Sequence, residues 1–92
     1  MSDKTHPRQH PNAAWREVEG EVVIISPEDS VLHELNATAS FIWKQATGEL
    51  RTEEISVRMA GEFEVSEETA LADTREMVQH LTDKKLLVPA LA

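Results

Sequence analysis

The sequence predicts an α+β fold, with an N-terminal three-stranded antiparallel sheet followed by three helices. Three observations predict it. The β-branched run Val22-Val23-Ile24-Ile25 is bounded by turn-forming residues, apolar residues recur at helical spacing from Asn36 onward, and strands and helices are segregated along the chain rather than alternating. With 92 residues, the chain holds one domain around one core.

The first strand is read at Trp15 to Val18 and turns at Gly20. The second, Val22 to Ile25, ends at Ser26-Pro27-Glu28-Asp29, a cluster rich in turn formers. Ser30 to Leu35 supplies the third strand. Asn36 then caps a helix in which Ala39, Ile42, Trp43 and Ala46 form one apolar stripe, ended by Gly48. A second helix follows, capped by Thr52, with Glu53 and Glu54 at its positive end and Ile55, Met59 and Phe63 every four residues. Ser66 opens the third, with Glu67 and Glu68 in its first turn, Leu71, Thr74, Val78 and Leu81 along one side, and Lys84-Lys85 at its negative end. Leu86-Leu87-Val88 is an apolar exit stopped by Pro89. Residues 1–13 contain His6-Pro7 and His10-Pro11 among polar neighbours, and proline disfavours both helix and ladder there. They are expected to form a disordered arm, with the folded domain spanning 14–88 and a short tail at 89–92.

Composition narrows the function. Hydrophobic residues make up 40% and charged residues 28%, which suits a soluble domain with a thin core and a net stability of about 5 kcal/mol. The 17 acidic and 9 basic residues leave a formal charge of −8, which opposes binding to nucleic acid. Cysteine is absent, removing disulfides, thiolate metal sites and cysteine nucleophiles together. There is no apolar stretch of the ~20 residues that a bilayer requires, and the N-terminus lacks a signal-like apolar region. A cytoplasmic, soluble protein without membrane contact is expected.

Candidate chemistry is sparse. His6 and His10 have the four-residue spacing of a helical metal site, but Pro7 lies between them and no further ligand follows, so no metal is expected. Asp29, Ser30 and His33 are close in sequence, yet a triad also needs an oxyanion hole and a substrate pocket. Asp29-Ser30-Val31 resembles the Asp-Ser-Leu of acyl carrier proteins, where the serine bears the prosthetic arm. That reading requires a helix to begin at Ser30. The glutamates at 53–54, 62–64 and 67–68 read as solvated helix ends, and the glycines at 20, 48 and 61 are too scattered for a phosphate loop. No catalytic residue and no cofactor are assigned.

The block Leu35-Asn36-Ala37-Thr38-Ala39-Ser40-Phe41-Ile42-Trp43, followed by Gly48, Thr52, Ile55, Phe63, Val65, Asp73, Leu81 and the pair Leu86-Leu87, resembles the PqqD-like family over residues 14–88. The family pattern reads Leu-Asn-x-Thr-Ala-x-x-Ile-Trp, then Gly, Thr and Ile, an acidic residue in the third helix and a closing apolar pair. This chain departs from it at Lys85, where a glycine commonly precedes that pair, and at Thr74 and Met77, where bulkier apolar residues are usual.

The resemblance implies a winged-helix-like, stand-alone recognition element for the leader of a ribosomally made precursor peptide, working beside a radical SAM enzyme or a leader peptidase and performing no chemistry itself. An extended peptide would pair with an edge strand while its alternate side chains enter neighbouring pockets. The third strand is the expected edge and the third helix the opposite wall, giving Val31, Leu32, His33, Glu34, Leu35, Asp73, Met77 and His80 as the peptide-binding set. Val31, His33 and Leu35 would share one side of the strand and Leu32 and Glu34 the other. No charge or proline blocks Val31 and Leu32, so a monomer and a strand-swapped dimer are both open. Two rival readings are a winged-helix DNA-binding regulator and an acyl carrier using Ser30.

Overall fold

The computed structural model describes residues 5–91 and has the order β1 (Thr5–Gln9), β2 (Ala14–Val18), β3 (Glu21–Ile25), β4 (Leu32–Glu34), α1 (Ala37–Gln45), α2 (Thr52–Phe63), α3 (Glu67–Asp83) and β5 (Leu87–Leu91). Strands β2, β3 and β4 form the expected antiparallel sheet in that spatial order, with the helices on one face. The β2–β3 corner is a two-residue turn in which Glu19 and Gly20 both have positive φ, at 53° and 86°. That conformation matches the twist of the strands it joins, and glycine adopts it without a side-chain penalty.

Side chains alternate across the sheet. Val22 and Ile24 point inward and are fully buried, whereas Ile25 and Leu32, opposite each other in the register, lie on the outer face at 40% and 54% exposure. The inner face meets Trp43 of α1, which is completely buried among Leu35, Ala39, Leu81, Leu86 and Leu87. Trp15 of β2 stacks edge-on against Trp43 with ring centroids 6.0 Å apart. A second cluster, Ile42, Ile55, Met59, Ala60 and Ala70, joins the three helices. On α3 the fully buried positions are Ala70, Thr74 and Leu81, with Met77 and Val78 partly covered. Leu71, expected in this stripe, is only half-buried because the small Ala70 faces α2 instead.

The largest difference from expectation lies at the two ends. Of the arm 1–13, residues 5–9 form β1, which pairs antiparallel with β5, and residues 1–4 lie outside the described residues. The expected tail likewise belongs to β5 through Leu91, so the packed unit begins before residue 14 and runs past residue 88; residue 92 lies outside the described residues. Proline is compatible with this sheet because of where it falls. On β1, the Gln9 N–H bonds to the Ala46 carbonyl and the Pro7 carbonyl accepts from the Gly48 N–H, so residues 7 and 9 direct their backbone groups toward the segment after α1. Pro7 and Pro89 are opposite one another in the register, and neither position owes the β1–β5 ladder a donor.

The helix ends follow local chemistry. The Asn36 side chain accepts from the Ala39 N–H at 2.9 Å, and Ser66 Oγ accepts from the Thr69 N–H at 3.1 Å, both as expected of N-caps. Thr52 is not the cap of α2. It is the first helical residue and is buried, while Arg51 takes the cap position and its N–H donates to the Glu54 carboxylate at 2.8 Å. That bond holds the Glu54 carboxyl below its ordinary range.

At the end of α3 the Leu86 N–H reaches back to the Leu81 carbonyl and the Lys85 N–H to that of Thr82, a Schellman closure with Lys85 at φ 62°. The Leu81 and Leu86 side chains share the core beneath it. Lysine therefore occupies a left-handed position where the related pattern has glycine. Lys85→Gly is expected to raise stability by about 1 kcal/mol in urea unfolding, since the left-handed cost disappears and only an exposed ion pair to Glu28 is lost.

Candidate peptide-binding edge and groove

Strand β4 is an edge of its sheet, and the hydrogen-bond parity tells which of its groups are free. The Leu35 N–H donates to the Val22 carbonyl at 2.9 Å, and the Ser26 N–H to that of Val31 at 3.0 Å. In an antiparallel ladder bonded pairs alternate with non-bonded ones, so His33 also turns its N–H and C=O toward its partner Ile24. Leu32 and Glu34 consequently direct theirs away from the sheet. These are the groups an additional strand would use.

Both ends of β4 are held firmly. At its start, the Ser26 hydroxyl donates to the Asp29 carboxylate, and the Val31 N–H reaches Asp29 Oδ1 at 3.2 Å and Ser26 Oγ at 3.3 Å. The Ser26 bond first, and the Val31 amide second, hold the Asp29 carboxyl below its ordinary range. Ser30 takes φ 59° in this turn, which brings the chain into β4 two residues later than the sequence suggests. No helix begins at Ser30, so the acyl carrier reading fails on the condition it required.

At the far end of β4, the buried Ser40 of α1 inserts its hydroxyl between two strands. Its Oγ accepts from the Val22 N–H at 2.8 Å and donates to the Leu35 carbonyl at 3.2 Å. It thereby completes a ladder rung that the backbones alone leave open.

The expected binding residues do not all share one surface. Leu32 and Glu34 are on the outer face and exposed, while His33 points inward and is half-buried, facing a recess of about 310 Å³ shared with Ser26, Pro27, Asp83 and Lys84. Val31 belongs to the preceding turn rather than to the strand, and is 46% exposed. Leu35 is a core residue, which supports the edge from within instead of offering a side chain to a guest.

Asp73, Met77 and His80 of α3 do come together, on one side of an open groove of about 340 Å³ whose remaining lining is Thr38, Ile42, Met59 and Glu76. Sequence reasoning missed Glu76, although 73, 76, 77 and 80 share one helical stripe and the spacing could have revealed it. Ile42 and Met59 were read as core only. They are core, but their outer surfaces make the groove floor, which no periodicity distinguishes.

The two histidines near the N-terminus have local partners. His6 Nδ1 lies 3.2 Å from the Gly48 carbonyl oxygen, and His10 Nδ1 accepts from the Asn12 N–H. Among the described residues no group of three histidine, aspartate or glutamate side chains could hold a metal ion, and no helix is long and apolar enough to cross a membrane.

Similarity to known proteins is clear at the level of fold and family. The solved structure "TbiB1 in Complex with the TbiA(beta) Leader Peptide" superimposes with a TM-score of 0.79 at 26% identity, covering 87% of this chain and 93% of that one. "Lasso peptide synthetase B1 complexed with the leader peptide" gives a TM-score of 0.79 at 19% identity, covering 91% and 99%. The solution structure of the PqqD truncation of Methylobacterium extorquens PqqCD, described as a functional and stand-alone recognition element for ribosomally synthesized and post-translationally modified peptides, gives 0.72 at 21%, covering 89% and 87%. No individually curated sequence matches the chain. The family model described as "PqqD: Coenzyme PQQ synthesis protein D (PqqD)" matches residues 21–87, from the start of β3 to the first residue of β5, and the chain belongs to the PqqD family.

Proposed function

We propose that this protein is a leader-peptide-binding element, which holds a ribosomally made precursor for a modifying enzyme by accepting its leader as a fourth strand beside β4, with α3 as the opposite wall. The observation that carries the reading is the parity of β4: Leu32 and Glu34 present backbone donors and acceptors outward, on a strand fixed at both ends, beside a groove with an apolar floor. Two of the similar structures are complexes with leader peptides, which supports leader binding by a chain of this fold. No catalytic step is assigned to the chain. The enzyme that acts on the captured peptide is a radical SAM enzyme or a leader peptidase, and the cytosol is the compartment where such a partnership would operate.

The physical contribution is concentration. A short strand buries little area, on the order of 1,200 Å² or less in total, which suits transient capture and release. Holding the precursor at the enzyme makes the second encounter intramolecular, a gain of about 10²–10⁴-fold in apparent affinity. The outline's other use, laying a helix in a DNA groove, would need a basic face. The exposed positions of α3 instead include Glu67, Glu68, Asp73 and Glu76.

Hydrogen exchange tests the edge assignment. In the free protein the His33 amide is expected to be protected and those of Leu32 and Glu34 to exchange quickly. Adding a short precursor peptide encoded beside this chain's gene is expected to slow Leu32 and Glu34 by about 10-fold or more while His33 changes little. If binding occurs and both outer amides stay fast, the guest lies elsewhere.

A further inference from the structure

The α3 groove has an unbalanced rim. Asp73 and Glu76 stand over a floor of Ile42, Met59 and Met77, and neither carboxylate has an ion-pair partner among the described residues. Other acidic groups flanking the edge strand are already engaged. Glu28 pairs with Lys85 at 3.7 Å, Asp29 with Ser26 and the Val31 amide, and Asp83 accepts from the Gln79 amide at 2.8 Å. Uncompensated negative charge therefore collects beside an apolar recess, on a chain whose formal charge is −8.

The groove is also placed where an added strand would pass. Thr38, at its mouth, follows the end of β4 by four residues, and the far end of α3, at Asp83 and Lys84, shares a recess with His33 of β4. The C-terminal end of α3 thus lies near β4, and its middle lies near the chain just beyond the end of β4. On a guest strand, side chains facing α3 recur every second residue, about 6.7 Å apart. Asp73 and Met77 are four residues apart on a helix, about 6 Å along its axis. The two spacings match.

We propose that this groove selects leaders carrying an apolar residue and a lysine or arginine two positions apart on the α3-facing side, the apolar side chain seated on Ile42, Met59 and Met77 and the cation held by Asp73 and Glu76. The inference rests on the strand-addition reading and specifies what that reading recognises. Charge complementarity at a partly desolvated rim adds selectivity more than bulk affinity.

The test is selection of a displayed library of random 12-residue peptides on the immobilised full chain, in parallel with D73N/E76Q and with E49Q/E62Q, whose exposed carboxylates lie outside the groove. Peptides selected by the unmodified chain are expected to hold Lys or Arg two positions from an apolar residue, about tenfold over Asp or Glu at the same position. D73N/E76Q is expected to lose that basic preference and keep the apolar one, and E49Q/E62Q to keep both. A charge-blind selection, or an undiminished basic preference in D73N/E76Q, overturns the inference. If such charge-blind peptides still protect the Leu32 and Glu34 amides, strand addition stands and only the groove's specificity is wrong. If no peptide is selected, or those amides remain unprotected, both readings fall together.

Discussion

Glu34→Pro is expected to weaken leader binding by about 10- to 100-fold while the protein stays folded. Proline has no N–H, and at position 34 the missing donor points out of the sheet, so the β3–β4 ladder keeps its own bonds. The pyrrolidine ring also stands where the guest backbone would approach. Glu34→Ala, which retains the donor, is expected to bind within about twofold of the unmodified protein, because the exposed outer-face carboxylate faces away from α3. Fluorescence titration with labelled leader measures the affinity, and thermal unfolding verifies that the variant is folded. Unaltered affinity in a folded Glu34→Pro protein would remove β4 as the docking strand.

Ser40→Ala is expected to cost about 3 kcal/mol of stability, lowering Tm by about 15 °C. The hydroxyl serves two backbone groups at once, the Val22 N–H and the Leu35 carbonyl, in a position 1% exposed. Alanine fits the space but leaves a donor and an acceptor buried without partners, each costing about 1–3 kcal/mol. Because Ser40 joins α1 to the β3–β4 rung, the same substitution is expected to loosen β4 and weaken leader binding as well. Calorimetric unfolding of Ser40→Ala beside Asn36→Ala separates the two kinds of loss. The cap contributes about 1 kcal/mol through an exposed site, where water replaces the missing partner. A Ser40→Ala protein no less stable than Asn36→Ala would show that the bridge matters little.

Element type was largely legible in the sequence because it depends on local chemistry. The β-branched run at 22–25 and the Asn36 and Ser66 caps each act within a few residues, and each is found where local reasoning puts it. The stripe of α1 is equally local: Ala39, Ile42 and Trp43 are all buried. The Leu35 to Trp43 block that carries the family resemblance turns out to be the junction of edge strand and helix. It contains the bridging serine at a position the family pattern leaves unspecified.

What remained hidden depends on partners distant in the chain. Proline at 7 and 89 argues against strands when each segment is considered alone. Their acceptability emerges only when the two strands meet with both prolines at positions that owe each other no bond. The groove was half legible for a similar reason. Helical spacing gathers Asp73, Met77 and His80, but Ile42 and Met59 reach it from two other helices.

The sequence by itself determined the three strands of the larger sheet, the three helices and most of the helix ends, since periodicity and capping are properties of neighbouring residues, and the Leu35 to Trp43 block carried the family resemblance. Only the tertiary structure decided which backbone groups of β4 stay unpaired, that Ser40 completes the rung beside them, and that β1 and β5 form a second sheet. Hydrogen-bond parity and proline tolerance depend on register, and register exists only once strands far apart in the chain have come together.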